Sequence, residues 1–297
     1  MLLELLAVSL LLAASADAVP PVVLAGEAVV VHPGLVSTSN TEIRITFSPD
    51  GKRMLWGTIG WPGGPGEWDI WESVEREGKW QEPHPAAFNS SYKDFDPFFA
   101  PDSSGVFFFS NRPGGAGGDD IYFVAFDART ETYGVPVNLG TGVNSKGDEW
   151  APSLDASGTE LLFASDGRGG LGLHDLFVSV KTKDGWGEAR ALSAPLNSAE
   201  DDFDATWLHD GHTLVFSRKP KDREEMHLFA SSRLDDDRWS EPVRLPATVN
   251  VPGGWNLGPS IDRSEPGVLY FTSHRDGASQ GRLDIYRIRY AIGEGER

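Results

Sequence analysis

The segment Val143–Phe177, VNSKGDEWAPSLDASGTELLFASDGRGGLGLHDLF, holds a polar Asn-Ser lead-in, an apolar run, a Ser-Gly turn, a second run, a glycine-rich loop and a third run. The same unit recurs along the chain. The apolar residue before each turn falls at Phe47, Phe99, Leu154, Trp207 and Ile261, at spacings of 52, 55, 53 and 54 residues. A fixed period of this length marks a repeat architecture in which each unit buries its apolar faces against its neighbours.

Several columns repeat together. The turn glycines are Gly51, Gly105, Gly158, Gly211 and Gly267, each followed by a β-rich run that reads as the partner strand of a hairpin. A third strand opens Asp-Ile-Trp at Asp69, Asp-Ile-Tyr at Asp120 and Asp284, and Asp-Leu-Phe at Asp175, with His227-Leu228-Phe229 as the departure. A fourth opens on Trp80, Tyr133, Trp186 or Trp239, and in the last three ends near Asn144, Asn197 or Asn250. Four antiparallel strands per unit predict an all-β fold, a five-bladed β-propeller. The fifth unit stops after its third strand, near Tyr290, whereas Pro21-Val22-Val23-Leu24 matches Pro242-Val243-Arg244-Leu245 of the fourth. The N-terminal segment is therefore expected to supply the missing strand, leaving no long free sheet edge.

The expected organisation is a signal peptide over 1–18, a closing strand and linker over 19–40, blades over about 41–87, 88–140, 141–192, 193–245 and 246–291, and a tail over 292–297. The signal reading rests on the apolar run Leu5–Ala14 followed by Ala16-Asp17-Ala18, although Glu4 stands where a basic residue is usual. That run is too short to span a bilayer. Periplasmic or secreted localisation follows. The chain has no cysteine and so no disulfide framework. Its net charge of -18 opposes binding to phosphate backbones, which makes nucleic acid and anionic membrane surfaces poor candidates as partners. A glycan or an envelope protein, met by a monomer, remains as the expected partner.

Phe47-Ser-Pro-Asp-Gly51, Phe109-Ser-Asn-Arg112 with Asp120-Ile-Tyr122, and Gly147-Asp-Glu-Trp-Ala-Pro152 through Ser165-Asp-Gly-Arg168 with Asp175-Leu-Phe177 resemble the TolB-type, WD-like propeller repeat of bacterial envelope proteins. The resemblance covers residues 41–290. It implies the fold far more than a function, because propellers host many unrelated roles. The sequence shows no separate N-terminal α/β domain, so a role in Tol-dependent transport is not implied.

A residue present in every blade is expected to serve the blade, since a single site needs only one copy. By that rule Asp69, Asp120, Asp175 and Asp284 are structural, pairing with strand-end arginines such as Arg112, Arg168 and Arg275, and the Trp80 column packs between blades. His209 and His212 lack a third defined ligand for a metal. Five residues before each anchor stand Glu42, Asp94, Glu149, Asp202 and Asn256. They read either as caps of their own blades or as a ring at the channel mouth, an electronegative funnel for a basic group or a divalent cation. Asp96 and Asp204 break the repeat and add acidity.

The rim loops add Trp61, Arg112, Arg168 and His274 as candidate ligand contacts, with Trp61 either exposed or folded back on its own loop. No other cofactor motif stands out. The leading expectation is a non-catalytic binding propeller. The alternative is a glycan-cleaving enzyme, a glycosidase or lyase, drawing on Asp94, Asp96, Glu149, Asp202 and Asp204.

Overall fold

The computed structural model describes residues 22–293. The expected signal peptide, its cleavage point near Ala18 and residues 294–297 of the tail lie outside the described residues. Within them the chain forms five antiparallel sheets and no helix. The sheets stand around a ring as the blades of a propeller, each with its first strand innermost: Thr41–Phe47, Asp94–Phe99, Glu149–Leu154, Asp201–Trp207 and Asn256–Ile261. The second strands are Arg53–Ile59, Gly105–Ser110, Glu160–Ser165, Thr213–Lys219 and Val268–Ser273. The third are Trp68–Arg76, Asp120–Asp127, Asp175–Thr182, His227–Ser232 and Asp284–Ile292.

The outer strands of blades 1 to 4 are short. In blades 1 to 3 each is split into two two-residue pieces, such as Lys79–Trp80 and His84–Pro85, both paired to the third strand. Short, broken edges limit pairing with other chains. The outer strand of the fifth sheet is Val22–Val30, which pairs with Asp284–Ile292, Val22 opposite Ile292 and Leu24 opposite Tyr290.

Apolar side chains on both faces of each blade explain why the second strands are buried almost throughout. They meet in clusters between neighbouring blades. Leu55, Ile70 and Phe88 of blade 1 pack with Phe99, Phe108 and Tyr122 of blade 2, and Val215 and Leu228 of blade 4 pack with Phe271 and Ile288 of blade 5. Each such side chain contributes about 1.5–3 kcal/mol by burial. Trp80, Tyr133, Trp186 and Trp239 lie against four of these clusters, so the column packs between blades.

The other repeated columns carry hydrogen bonds. Asp175 Oδ2 accepts the backbone N–H of Leu171 at 2.8 Å, and Asp284 Oδ2 that of Gln280 at 2.8 Å, so this column ties down the loop between second and third strands. Asn144, Asn197 and Asn250 accept from the N–H of Ile121, Leu176 and Leu228 and donate back to the same residues' carbonyls; Asn89 does so in blade 1. The strand-end arginines do not pair with the Asp column as expected. Arg112, Arg218 and Arg275 donate to Phe88 O, Leu196 O and Thr248 O, and their guanidiniums lie within 5.4 Å of ring centroids on their own second and third strands. Arg112 and Arg218 pair instead with the inner-strand carboxylates Asp94 and Asp202, and the planar guanidinium lets each arginine also stack on these rings.

Every inner strand also carries a bulge at the same place. The register breaks between Ile43 and Ile45, Phe95 and Phe98, Trp150 and Ser153, Phe203 and Thr206, and Leu257 and Ser260. The residue inserted has left-handed φ: Arg44 (50°), Asp96 (50°), Ala151 (51°), Asp204 (48°) and Gly258 (59°). Only Gly258 is free of the Cβ penalty, about 1 kcal/mol for each of the others. The bulge turns this residue toward the ring axis.

Candidate functional site

The five residues expected either as blade caps or as a ring at the channel mouth have their side chains turned into their own blades. Glu42, Asp94, Glu149, Asp202 and Asn256 are all fully buried. Glu42 accepts from Thr38 N–H and Oγ1–H at 3.1 and 2.5 Å, and Glu149 from Ser145 N–H and Oγ–H at 2.8 and 2.5 Å. Asp94 and Asp202 take the same bonds from Ser90 and Ser198 and add ion pairs to Arg112 and Arg218. Asn256 accepts from Val251 N–H at 3.2 Å. The polar lead-in of each repeat is thus a backbone turn closed by this residue. Burial pushes the Glu42 carboxyl up to about 7 and raises those of Glu149 and Asp202.

Below the caps, the bulge residues meet at the waist of the channel. Arg44, 1% exposed, reaches from blade 1 to blade 3, where Nη2 donates to Pro152 O at 3.1 Å. Its Nε and Nη1 have no hydrogen-bond partner and lie in the field of Asp96 and Asp204. Asp204 leans on the next blade's bulge, its Oδ2 accepting Gly258 N–H at 3.1 Å, whereas Asp96 Oδ1 has no hydrogen-bond partner. Burial, then the neighbouring Asp204, pushes Asp96 up to about 8; burial likewise raises Asp204, with Arg44 opposing. The cation among these acids is supplied by the chain itself. Among the described residues no three His, Asp or Glu side chains are grouped to hold a metal ion.

Above the caps lies a column that the sequence reading passed over, the residue before Asp69, Asp120, Asp175, His227 and Asp284: Trp68, Asp119, His174, Met226 and Leu283. In four blades its carbonyl accepts the N–H of the next blade's cap, as from Glu149 N to Asp119 O at 2.6 Å and Asp202 N to His174 O at 3.0 Å. These bonds hold the column at the channel mouth, and its residues differ in every blade. Asp119 Oδ2 accepts from Trp150 Nε1 at 3.0 Å and Lys93 Nζ at 3.4 Å. Lys93 sits 5.0 Å from the Trp68 ring centroid. His174 stacks on Trp150 at 4.1 Å, donates through Nδ1 to Asp201 Oδ1 at 2.8 Å and leaves Nε2 without a partner. Burial raises the Asp119 carboxyl, against the pull of Trp150 and Lys93. Trp68 and Trp150 are half-buried, presenting indole surface beside charged groups.

The rim residues singled out from sequence lie elsewhere. Trp61 stacks on Trp71 at 4.1 Å with planes 8° apart, folded back on its own blade. Arg168 donates to Val143 O and Thr141 O and pairs with Glu188, bracing a loop as Arg112 does. His274 is exposed, 3.5 Å from Asp276. His209 bridges Tyr290 Oη and Asp262 O, a packing role between blades 4 and 5.

Solved structures share this fold. The chain superposes on the putative TolB from Agrobacterium tumefaciens with a TM-score of 0.52 at 14% identity, over 86% of this chain and 82% of that one. It superposes on the α-L-arabinofuranosidase from Podospora anserina, solved with cellotriose, with a TM-score of 0.55 at 12% identity, over 93% and 98% of the chains. For the endo-arabinase from Bacteroides thetaiotaomicron the values are 0.55, 13%, 92% and 100%. The likeness is one of fold. No family model and no curated protein matches the sequence.

Proposed function

We propose that this protein is an exported, non-catalytic propeller that binds a neutral glycan at the channel mouth. The observation that carries the reading is the cluster of Trp68, Lys93, Asp119, Trp150, His174 and Asp201, which differs from blade to blade on an otherwise repetitive frame. The half-buried indole rings can take the apolar face of a sugar, while the adjoining Lys93 and Asp201 meet its hydroxyl groups. Hydrolysis would need two carboxyl groups presented to the scissile bond. Asp94, Glu149 and Asp202 are instead fully buried in caps, and Asp96 and Asp204, 4% and 5% exposed, sit beside Arg44.

The test is calorimetric titration of neutral oligosaccharides, cellotriose and arabinotriose among them, into the wild type and Trp150→Ala. Loss of a central aromatic contact is expected to weaken binding by about 2 kcal/mol, roughly thirtyfold. An unchanged affinity in a folded variant would remove the mouth from consideration.

A protein partner is favoured by one feature of the same face: Leu171 and Leu173, 58% and 60% exposed on the blade 3 rim loop. Replacing both with serine should leave oligosaccharide binding intact under the glycan reading. Export itself is checked by intact-mass measurement on protein from the native host, which should lack residues 1–18; full-length protein confined to the cytoplasm would refute it.

A further inference from the structure

Away from the mouth, one groove between blades breaks the repeat. The outer groove between blades 4 and 5, about 490 Å³, is lined largely by aliphatic side chains such as Val22, Leu24, Val243 and Leu245. The groove between blades 1 and 2, about 510 Å³, is lined instead by Arg53, Glu72, Arg76, Glu82, His84 and Glu131, among others. In the repeat, Arg53 and Glu72 occupy the positions of Gly105 and Phe123 in blade 2 and of Thr213 and Ala230 in blade 4. The architecture therefore does not require charge at these positions.

Arg53 is held firmly. Its Nη1 donates to Glu72 Oε2 at 2.5 Å, with the two side chains 9% and 3% exposed. The hydroxyl of Tyr133 donates to the same oxygen at 2.9 Å, and the guanidinium lies 4.9 Å from the Phe126 ring centroid. This fixes Nη2 facing the groove, where Glu131 Oε2 stands at a loose 3.4 Å. Arg76, half exposed, donates to that same oxygen. Glu131 belongs to the outer hairpin turn of blade 2, with φ 54° and a side chain 42% exposed. Two guanidiniums of one blade thus converge on one carboxylate oxygen lent by the next.

We propose that this groove binds a small hydroxylated carboxylate of hexuronate size, whose carboxylate takes the place of Glu131 between Arg53 and Arg76. Paired guanidiniums are well matched to a carboxylate through charge-assisted bonds. An ion pair as exposed as Arg76–Glu131 is weak, so its displacement is cheap. With Glu131 swung out, Arg53 keeps Glu72 as its partner while Arg76 loses its ion pair and is free to take the incoming carboxylate. Gln81, Glu82, His84 and Thr132 line the same groove and supply donors and acceptors for ring hydroxyls. The volume lies within the usual range for a small-molecule site.

The experiment titrates sodium glucuronate, with glucose as the neutral counterpart, into the wild type, Glu131→Gln, Arg76→Gln and Trp150→Ala. The internal carboxylate acts as a competitor, so Glu131→Gln should tighten glucuronate binding about tenfold, by raising the fraction of protein with an open site. Arg76→Gln should weaken it by a similar factor, and glucose should bind none of the four at this groove. Both groove substitutions are at exposed side chains, so unchanged melting curves are expected to certify the fold. Glucuronate bound no more tightly by Glu131→Gln than by the wild type would overturn the proposal, as would glucose matching glucuronate. Loss of glucuronate binding in Trp150→Ala would move the sugar acid to the mouth and also overturn it, whereas retention separates this groove from the glycan site proposed above.

Discussion

Arg44→Met is expected to lower the unfolding free energy by about 3–5 kcal/mol at pH 8, and by far less at pH 5. Methionine keeps an unbranched side chain of similar length at the same left-handed φ, so the change removes charge more than volume. Asp96 and Asp204 then face each other across the waist with no cation between them. Adding Asp96→Asn and Asp204→Asn to Arg44→Met should recover most of the loss, because asparagine tolerates this φ and carries no charge. Urea denaturation at the two pH values is the check. Equal losses at pH 5 and pH 8 would show that Arg44 acts through packing alone.

The same cluster sets a pH dependence with a definite sign. Asp96, raised to about 8, and Glu42, raised to about 7, bind protons more tightly in the folded chain than in the unfolded one. Their contribution is complete below the unfolded carboxylate range near 4 and is lost as pH rises toward 8. Carboxyls held low by local bonds, such as Asp102, Asp127 and Asp155, act with the opposite sign, and only at more acid pH. Melting temperature should therefore fall between pH 5 and pH 8.5, and Asp96→Asn should flatten that fall. A slope unaltered by the substitution would assign it to other groups.

Deleting the chain through Val30 is expected to be as damaging. The strand Val22–Val30 covers Asp284–Ile292, and without it Tyr286, Ile288 and Tyr290 lose the packing of Val22 and Leu24. A nine-residue sheet edge would be bared in its place. Several kcal/mol lost from a ring of this size corresponds to a melting temperature lower by at least about 10 °C, with concentration-dependent oligomers from edge pairing. A truncated protein that melts like the full chain and stays monomeric would show that the fifth blade stands on three strands.

What could be read from the residues was whatever repeats. The turn glycines, the Asp-Ile-Tyr openings and the Asn-Ser lead-ins recur because each blade must solve the same hydrogen-bonding problem, so blade number and strand order were legible. The bulges were not, because a left-handed residue announces itself only when it is glycine or asparagine, and here arginine, aspartate and alanine hold four of the five places. Arg44 stood in the same column as Asp96 and Asp204 and was missed for lack of a reason to look for a base among acids. Trp61 was ambiguous for a different reason: a loop tryptophan beside Pro-Gly carries no periodicity to say which way its ring turns. The column from Trp68 to Leu283 was readable in principle, since it varies at a fixed position before a conserved-looking opening within one chain.

Arg44 also determines how anything polymeric could use this ring. A guanidinium that reaches from blade 1 to blade 3, on a residue 1% exposed, crosses the axle of the propeller at that level. On the glycan reading proposed above, a long chain would insert an end or lie across the opening rather than thread past Arg44, leaving by the route it came. Such a geometry favours recognition of termini and brief surface attachment over processive travel along a strand.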